Sequence, residues 1–349
     1  MTSTRLIPLL LAVLVFVGGC TKDPSSVGPN GAEAVVEIHA SVGNVSAVTK
    51  AGFANESTYG IFTCVQGTSD KFLPSLWNVK ARLAGATWRY HYVADYATGA
   101  VYADDASSDK FVLQGRKDNK AADLYAYAPF VPAAYGNAYG PTAIPFSREM
   151  DVMYAAQNPS NANGGMDPAG LSPLSAAFDF QRLMACLEFD FTLDTPNNTA
   201  MSIALVSIKD NDPSGGAVLY TGGTFNAITG QFNQASLTAA EELTSSLGSC
   251  TVVNDNTAAP NLGHFSFTLV PTEVVTDGEL VFTFQSGGHI LPPFVLERAQ
   301  VMHDDGITCG FQAGYKYVFH FTLDNYVRFR GFDIRPWGEA GELTDHGVI

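Results

Sequence analysis

Residues with the chemistry to act on a ligand are few in this chain, and their spacing is incomplete. Asp210-Asn211-Asp212-Pro213-Ser214-Gly215 reproduces the first half of a calcium loop, with alternate oxygen side chains ahead of a turning glycine. The twelfth position, where a bidentate Glu would close such a loop, is Thr221, so a hairpin turn accounts for the segment better than a cation site. His303-Asp304-Asp305 offers nitrogen and oxygen ligands, but an adjacent triplet does not easily converge on one ion, and a solvated loop is the expectation. The other histidines fall mostly on the polar faces of strand patterns. The sequence contains no Gly-x-Ser-x-Gly elbow, no Gly-rich phosphate loop ending in Lys, no His-Glu-x-x-His helix and no Cys-x-x-Cys pair. Paired carboxylates for glycoside hydrolysis are defined by separation in space and leave no signature in sequence. The expectation is a non-enzyme with no catalytic residue, no metal and no cofactor.

The cysteines are more informative. Arg5 precedes an apolar run over residues 6–19 that is too short to span ~30 Å of hydrocarbon and has the form of a signal h-region. It ends Val17-Gly18-Gly19-Cys20, small residues before a cysteine, the pattern of a bacterial lipobox. The peptidase needs small side chains there, and the thiol takes up diacylglycerol, so Cys20 is the expected lipidation site and mature N-terminus. An ordinary signal peptide followed by a chance cysteine is the competing reading. A cysteine carrying two or more acyl chains of the palmitate type anchors stably, whereas one chain holds only marginally. Thr21 follows, and the absence of Asp at that place points to the outer membrane. Residues 21–33, rich in Pro, Gly and Ser, are suited to a flexible tether. Cys64 and Cys186 sit inside strand patterns as small packed residues. Cys250 and Cys309 lie in turn-like contexts and are the candidate disulfide pair in an exported compartment.

The elements that must position these residues are strands. The 349 residues carry a net charge of −15, which lacks the phosphate-neutralising patch of a nucleic-acid binder. Only 15% are charged while Phe numbers 23 and Tyr 14, the composition of a folded chain. Short runs alternate at period two between turn clusters. Val36, Ile38, Ala40 and Val42 share one face; so do Trp88, Tyr90 and Tyr92; Leu124, Ala126, Ala128 and Phe130; and Phe265, Phe267 and Leu269. Tyr315, Tyr317, Phe319, Phe321 and Leu323 form the clearest set. Two runs change parity, which predicts a bulge or bend at Gln181-Arg182 and another at Gly331. Residues 236–246 are the best helical candidate. Residues 158–173, nearly all Asn, Gly, Pro, Ala and Ser, mark a boundary or a long surface loop. The expectation is an all-β chain with little helix: a signal over 1–20, a tether over 21–33, and two tandem antiparallel β-sandwich domains over 34–165 and 166–349.

Several of these segments resemble a known family. The lipobox, the tether, a first strand ending near Thr49-Lys50-Ala51, Tyr59-Gly60-Ile61-Phe62, the aromatic run of 88–92, Leu124-Tyr125-Ala126-Tyr127-Ala128-Pro129 and Asp151-Val152-Met153-Tyr154-Ala155 resemble, in order, the N-terminal domain of Bacteroidales fimbrillins. Residues 178–191 resemble the strand opening the fimbrillin C-terminal domain, although that strand often carries His near the place of Arg182. Gly314-Tyr315-Lys316-Tyr317 and Ile334-Arg335-Pro336-Trp337 resemble its close. The resemblance spans nearly the whole mature chain and implies a type V pilus component built from two transthyretin-like sandwiches. Such subunits are exported as lipoproteins. In polymerising members a trypsin-like protease cuts after a basic residue near the end of the first strand, and a neighbour's strand fills the groove. On that basis residues 34–42 are the removable strand and Lys50 is the processing site; a Lys50 left uncut would suit a lipid-retained anchor. The implied partners are other pilus subunits, by donor-strand exchange, and a host or bacterial surface ligand. The polar segment 338–349 is a poor donor, and the apolar alternation of 326–334 is the better one.

A reading from another class is a glycan-binding outer-membrane lipoprotein of a polysaccharide-uptake system. It would need an exposed aromatic platform, which Tyr125, Tyr127, Tyr135 and Tyr139 are placed to supply. Packing of those rings between strands is the competing account.

Overall fold

A computed structural model describes residues 33–42, 54–92 except 55 and 86, 108–132 except 117, 139–159 except 157, 166, 174–193, 200–211, 219–253 except 245 and 246, 262–303 except 275 and 276, 305–306, 309–323 and 326–337. The strands are β1 (Glu33–Val42), β2 (Thr58–Val65), β3 (Val79–Ala84), β4 (Thr87–His91), β5 (Phe111–Gln114), β6 (Ala122–Ala128), β7 (Ile144–Ser147), β8 (Met153–Ala156), β9 (Asn158–Pro159) and β10 (Leu174–Arg182). They continue with β11 (Ala185–Leu193), β12 (Ala200–Asp210), β13 (Leu219–Asn226), β14 (Gln231–Phe232), β15 (Thr238–Ala240), β16 (Glu242–Leu243), β17 (Ser249–Val253) and β18 (Leu262–Leu269). The last are β19 (Thr272–Glu273), β20 (Leu280–Ser286), β21 (His289–Ile290), β22 (Phe294–Val295), β23 (Gly310–Phe311), β24 (Tyr315–Leu323) and β25 (Val327–Pro336). Helix is confined, among the described residues, to short 3-10 turns at Pro74–Leu76, Gln234–Ser236 and Arg298–Val301. The chain is all-β, as its period-two patterning requires.

The first sheet runs β4-β3-β2-β6-β8-β10-β1-β5 and closes over a core that includes Val36, Tyr59, Ile61, Phe111, Leu124 and Phe178. A second core lies between the sheet β18-β11-β24-β25 and the sheet containing β12 and β20. Phe189 is at its centre, with six Phe rings of β18, β20 and β24 at centroid distances of 5.4–6.1 Å. Each fully buried Phe of this kind stabilises the fold by roughly 1.5–3 kcal/mol.

The sheets are not purely antiparallel. β1 pairs β10 in parallel from Val36↔Leu174 to Val42↔Phe180, and β11 pairs β24 in parallel from Cys186↔Lys316 to Leu193↔Leu323. Parallel neighbours need a long connection, and β2 to β9 supply it between β1 and β10. In both units the opening strand lies between an antiparallel strand from the middle of the unit and a parallel strand from near its end.

The parity change near Gln181-Arg182 is a change of sheet rather than a bulge within one strand. β10 pairs β1 and β8, the chain turns at Leu183 and Met184, and β11 opens the second unit. Phe178 and Phe180 therefore close the first core, while Leu187, Phe189 and Phe191 belong to the second. A division at 165/166 would cut β10 from its partners; the ladders change hands at 183–184. The second slip is a bulge, as expected: His320 pairs Gly331 and Phe321 pairs Phe329, leaving Arg330 as the extra residue. The helical candidate over 236–246 is not an α-helix among its described residues. Thr238, Ala239 and Ala240 pair with β13, and Glu242 and Leu243 pair with β12, so tertiary pairing overrides a weak helical stripe.

The two units share a third core, which includes Phe62, Trp77, Tyr127, Met184, Phe225 and Trp337. β7 leaves the first unit to pair β13 from Phe225↔Ile144 to Gly222↔Ser147. All four described cysteines carry free thiols: Cys64 and Cys186 are buried as expected, and the candidate pair Cys250 and Cys309 is not bridged. Cys250 sits on β17 opposite Ile203, and the Cys309 thiol donates to Arg298 O at 3.2 Å.

Candidate functional site

The place occupied by β1 is the candidate site. In its sequence, EAVVEIHASV, every second residue from Ala34 to Val42 is apolar, with Val35 the one apolar residue on the other face, and this fixes which side chains enter the core. Val36 and Val42 are buried, Ile38 and Ala40 pack half-buried against the same core, and Glu33, Val35, Glu37 and His39 face solvent. On one side β10 runs parallel with seven residue pairs; on the other β5 runs antiparallel from Glu33↔Gln114 to Val36↔Phe111. Outward polar contacts are modest: Ser41 Oγ donates to Asp179 Oδ1 at 3.2 Å, Gln114 Nε2 donates to Glu33 Oε1 at 3.2 Å, and His39 lies 3.4 Å from Glu37. Exposed contacts of this kind contribute ~0–1 kcal/mol each. Backbone ladders and five apolar side chains, those of Ala34, Val36, Ile38, Ala40 and Val42, hold β1, and none of its described side-chain bonds is buried.

Cys20 and Lys50 lie outside the described residues, as do residues 21–32 of the tether, Tyr135 and the segment 338–349, whereas Glu33, expected in the tether, opens β1. Of the half calcium loop, Asp210 and Asn211 are described, ending β12, with their amides bonded to Glu241 O and Glu279 O. Among the described residues no group of three His, Cys, Asp or Glu side chains is placed to hold a metal. His303 is a packing residue. Tyr317 Oη accepts from Gln312 N at 2.7 Å and donates to Gly310 O at 2.8 Å, so His303 Nε2, 2.7 Å away, must donate to it. His91 departs from the surface expectation and is 2% exposed.

The described tyrosines, Tyr125, Tyr127 and Tyr139, do not form a platform. Tyr127 is fully buried, stacks on Phe62 at 5.7 Å and donates to Asn78 Oδ1 at 2.8 Å. Tyr139 lies edge-on to Phe62 and donates to Val131 O. Tyr125 is half-buried against the third core, and burial pushes its hydroxyl up to about 12.

Two features at the junction escape sequence reasoning. Arg182, at the end of β10, bonds Asp151 Oδ2 at 3.0 Å and Trp337 O at 3.3 Å, and its guanidinium lies 4.4 Å from the Trp337 ring. It thereby fastens the end of β25 to the crossing between units. The departure from the resembling pattern at Arg182 was the available signal, and its partners are 31 and 155 residues distant. On the face of β11 and β24 turned away from the second core, Lys316, 2% exposed, donates to Glu188 Oε2 at 2.9 Å, and Arg335 reaches Glu188 Oε1 at 3.6 Å.

Comparison with known proteins agrees with this architecture. A candidate cell adhesion protein from Bacteroides ovatus superposes with a TM-score of 0.52 at 14% identity, covering 88% of this chain and 98% of that one. A second, from Bacteroides uniformis, gives 0.50 at 16% identity, covering 87% and 98%. At these identities the likeness is one of fold. A search of the curated proteins finds no match. The profile of the fimbrillin-like family matches residues 49–337, most of the chain from just beyond β1 to the clamped Trp337, and the chain belongs to that family.

Proposed function

We propose that this chain is a structural, non-catalytic subunit of a cell-surface fimbrium, exported as an outer-membrane lipoprotein on Cys20 and assembled with other subunits by exchange of β1. The observation that carries the reading is the seat of β1. It is the opening strand of its unit, joined to the rest by ladders and an apolar face. An opened sheet edge beside an apolar slot is a template for strand addition. The start of the family match at residue 49, with β1 wholly upstream, also supports treating β1 as separable. Lys50 is the proposed processing residue, and the fimbrium is the proposed location, with a host or bacterial surface as the adhesion target. No helix among the described residues is long and apolar enough to cross a membrane, and anchorage is assigned to the lipid. The burial of Tyr127 and the inward packing of Tyr139 disfavour the glycan-platform reading.

The test is limited proteolysis of the protein lacking residues 1–20 with a trypsin-like protease, followed by intact mass. A single stable cut after Lys50, followed by concentration-dependent oligomers, is the expected result. An intact fold that resists cutting there, or a cut product that stays monomeric, would overturn strand removal as the activating step.

A further inference from the structure

We propose that the outward face of the sheet containing β12 and β20 is a self-association surface, and that its occupant is the same face of a second copy of this chain, related by a two-fold axis. The contact is separate from strand exchange and leaves β1 in its seat.

The two outer faces of the second unit differ in charge. On the sheet of β11, β24 and β25, Glu188, Asp190, Lys316, His320, Asp333 and Arg335 are linked across the strands. The other sheet sends Ile203, Leu205, Phe282 and Phe284 into the core, so the residues alternating with them, and their ladder partners, point outward. From β17 across to β22 those outward residues are Ser, Thr, Ala, Val, Ile and Gln. The charges among the described outward residues are Lys209 and Glu242, which are register partners of opposite sign at one end of the face. Three of the five large apolar side chains that stand exposed lie here: Val253 at one margin, opposite Ala200, and Ile290 and Val295 at the other, opposite Gln285 and Val281. Single exposed apolar residues are ordinary, but three on one uncharged sheet face mark a contact surface.

Charge selects the occupant. The chain carries a net −15, so two copies repel one another through most of their surfaces. A two-fold contact presents the same patch twice, and a face whose one cation and one anion offset each other can meet itself without that penalty. The margin of the sheet does not compete as a docking edge, because Pro292 and Pro293 stand between β21 and β22 and neither has an amide to donate. The second copy therefore stacks on the face, as one sheet of a sandwich stacks on another. Four strands about 4.8 Å apart, along the seven residues of β20 at about 3.3 Å each, give a footprint of roughly 19 by 23 Å. The two copies together would bury roughly 900 Å², the size of a weak contact that forms where copies are crowded side by side.

The test is sedimentation equilibrium of the chain lacking residues 1–20, uncut and with β1 in place, from roughly 10 µM to 1 mM. The expected result is a dimer that forms across that range and stops at two. It should hold or strengthen as NaCl rises from about 0.05 to 0.5 M, because salt screens the repulsion between acidic copies and the contact does not depend on ion pairs. Thr283→Lys, in the middle of the face, and Ile290→Lys, at its margin, should each weaken the dimer ~10-fold or more by placing a charge in the contact. Asp333→Lys, on the other sheet, should leave it unchanged. Ile290 is 62% exposed, so its variant reports on the contact whether or not Thr283→Lys folds. A monomer through 1 mM, growth beyond two, weakening by salt, a dimer that Ile290→Lys leaves intact, or equal loss in Asp333→Lys would overturn the proposal. Strand exchange is tested on the cut chain and stands or falls separately.

Discussion

Replacing Gly60 by Ala should disrupt the first unit well beyond what one methyl group implies. Gly60 lies on β2 directly opposite Tyr127 on β6, and the Tyr127 ring covers it. A Cβ at Gly60 would stand 2.2 Å from Tyr127 Cε1, 2.5 Å from Cζ and 2.8 Å from Asn78 Oδ1. The ring has nowhere to go. Tyr127 is fully buried, stacks on Phe62 and bonds Asn78 Oδ1. Overpacking of this kind costs ~1–3 kcal/mol. If the ring moves instead, breaking its buried bond to Asn78 costs about 1–3 kcal/mol. Gly60→Ala is therefore expected to destabilise by about 3 kcal/mol in equilibrium urea unfolding. In a double-mutant cycle, adding it to Tyr127→Ala should cost less than about 0.5 kcal/mol more, because the obstructing ring is gone. A loss below ~0.5 kcal/mol for the single variant, or additive losses in the cycle, would refute the account of Gly60 as the site over which Tyr127 lies.

Phe189→Ala removes the ring at the centre of the second core and should cost about 3–5 kcal/mol, measured by denaturant unfolding; a value near 1 would mean that the surrounding rings collapse into the space. Arg182→Lys should destabilise nearly as much as Arg182→Ala and shift Trp337 emission to the red, because an ammonium cannot both bond Asp151 and lie flat on the indole; full rescue by Lys would contradict the clamp. Burial pushes the Cys64, Cys186 and Cys250 thiols up to about 12, and likewise the Tyr90 and Tyr92 hydroxyls. These groups stay neutral in the fold while the unfolded chain ionises from about pH 8.5 for Cys and 10 for Tyr. Stability contributed this way is complete below those values and falls as pH rises toward 12, which chemical denaturation at a series of pH values will detect. A flat profile from pH 8 to 11 would count against it.

The strand faces were legible because period two is written in local sequence: Val36 to Val42, Trp88 to Tyr92 and Tyr315 to Leu323 all present the expected face to a core. The family was legible from the order of such segments. Strand direction was not, because a parallel and an antiparallel strand show the same alternation, and only the long path from β1 to β10 separates them. The place where the chain changes sheet was not legible, for a related reason. Residues 158–173 have the composition of a linker, yet the crossing at Leu183-Met184 is made of buried apolar residues, since the units meet through a shared core. Tyr125 and Tyr127 occupied the second face of β6, which alternation assigns to solvent; β7 and β13 cover that side, and no local signal announces it.

The opposed neighbours of β1 bear on direction. A strand entering the seat as β1 does makes a parallel ladder with β10 and an antiparallel one with β5. A strand entering the other way would make the reverse, and antiparallel pairing is slightly the stronger per residue. The backbone of the slot therefore accepts either heading. Direction is left to the side chains: β1 sets the large Ile38 beside Ala176 and the small Ala40 beside Phe178, and a reversed strand would bring its large residue against Phe178 and its small one against Ala176. Whatever vectorial order strand exchange would give an assembly of these chains would then be set by Ala176 and Phe178, which stay behind on β10, and not by hydrogen bonds.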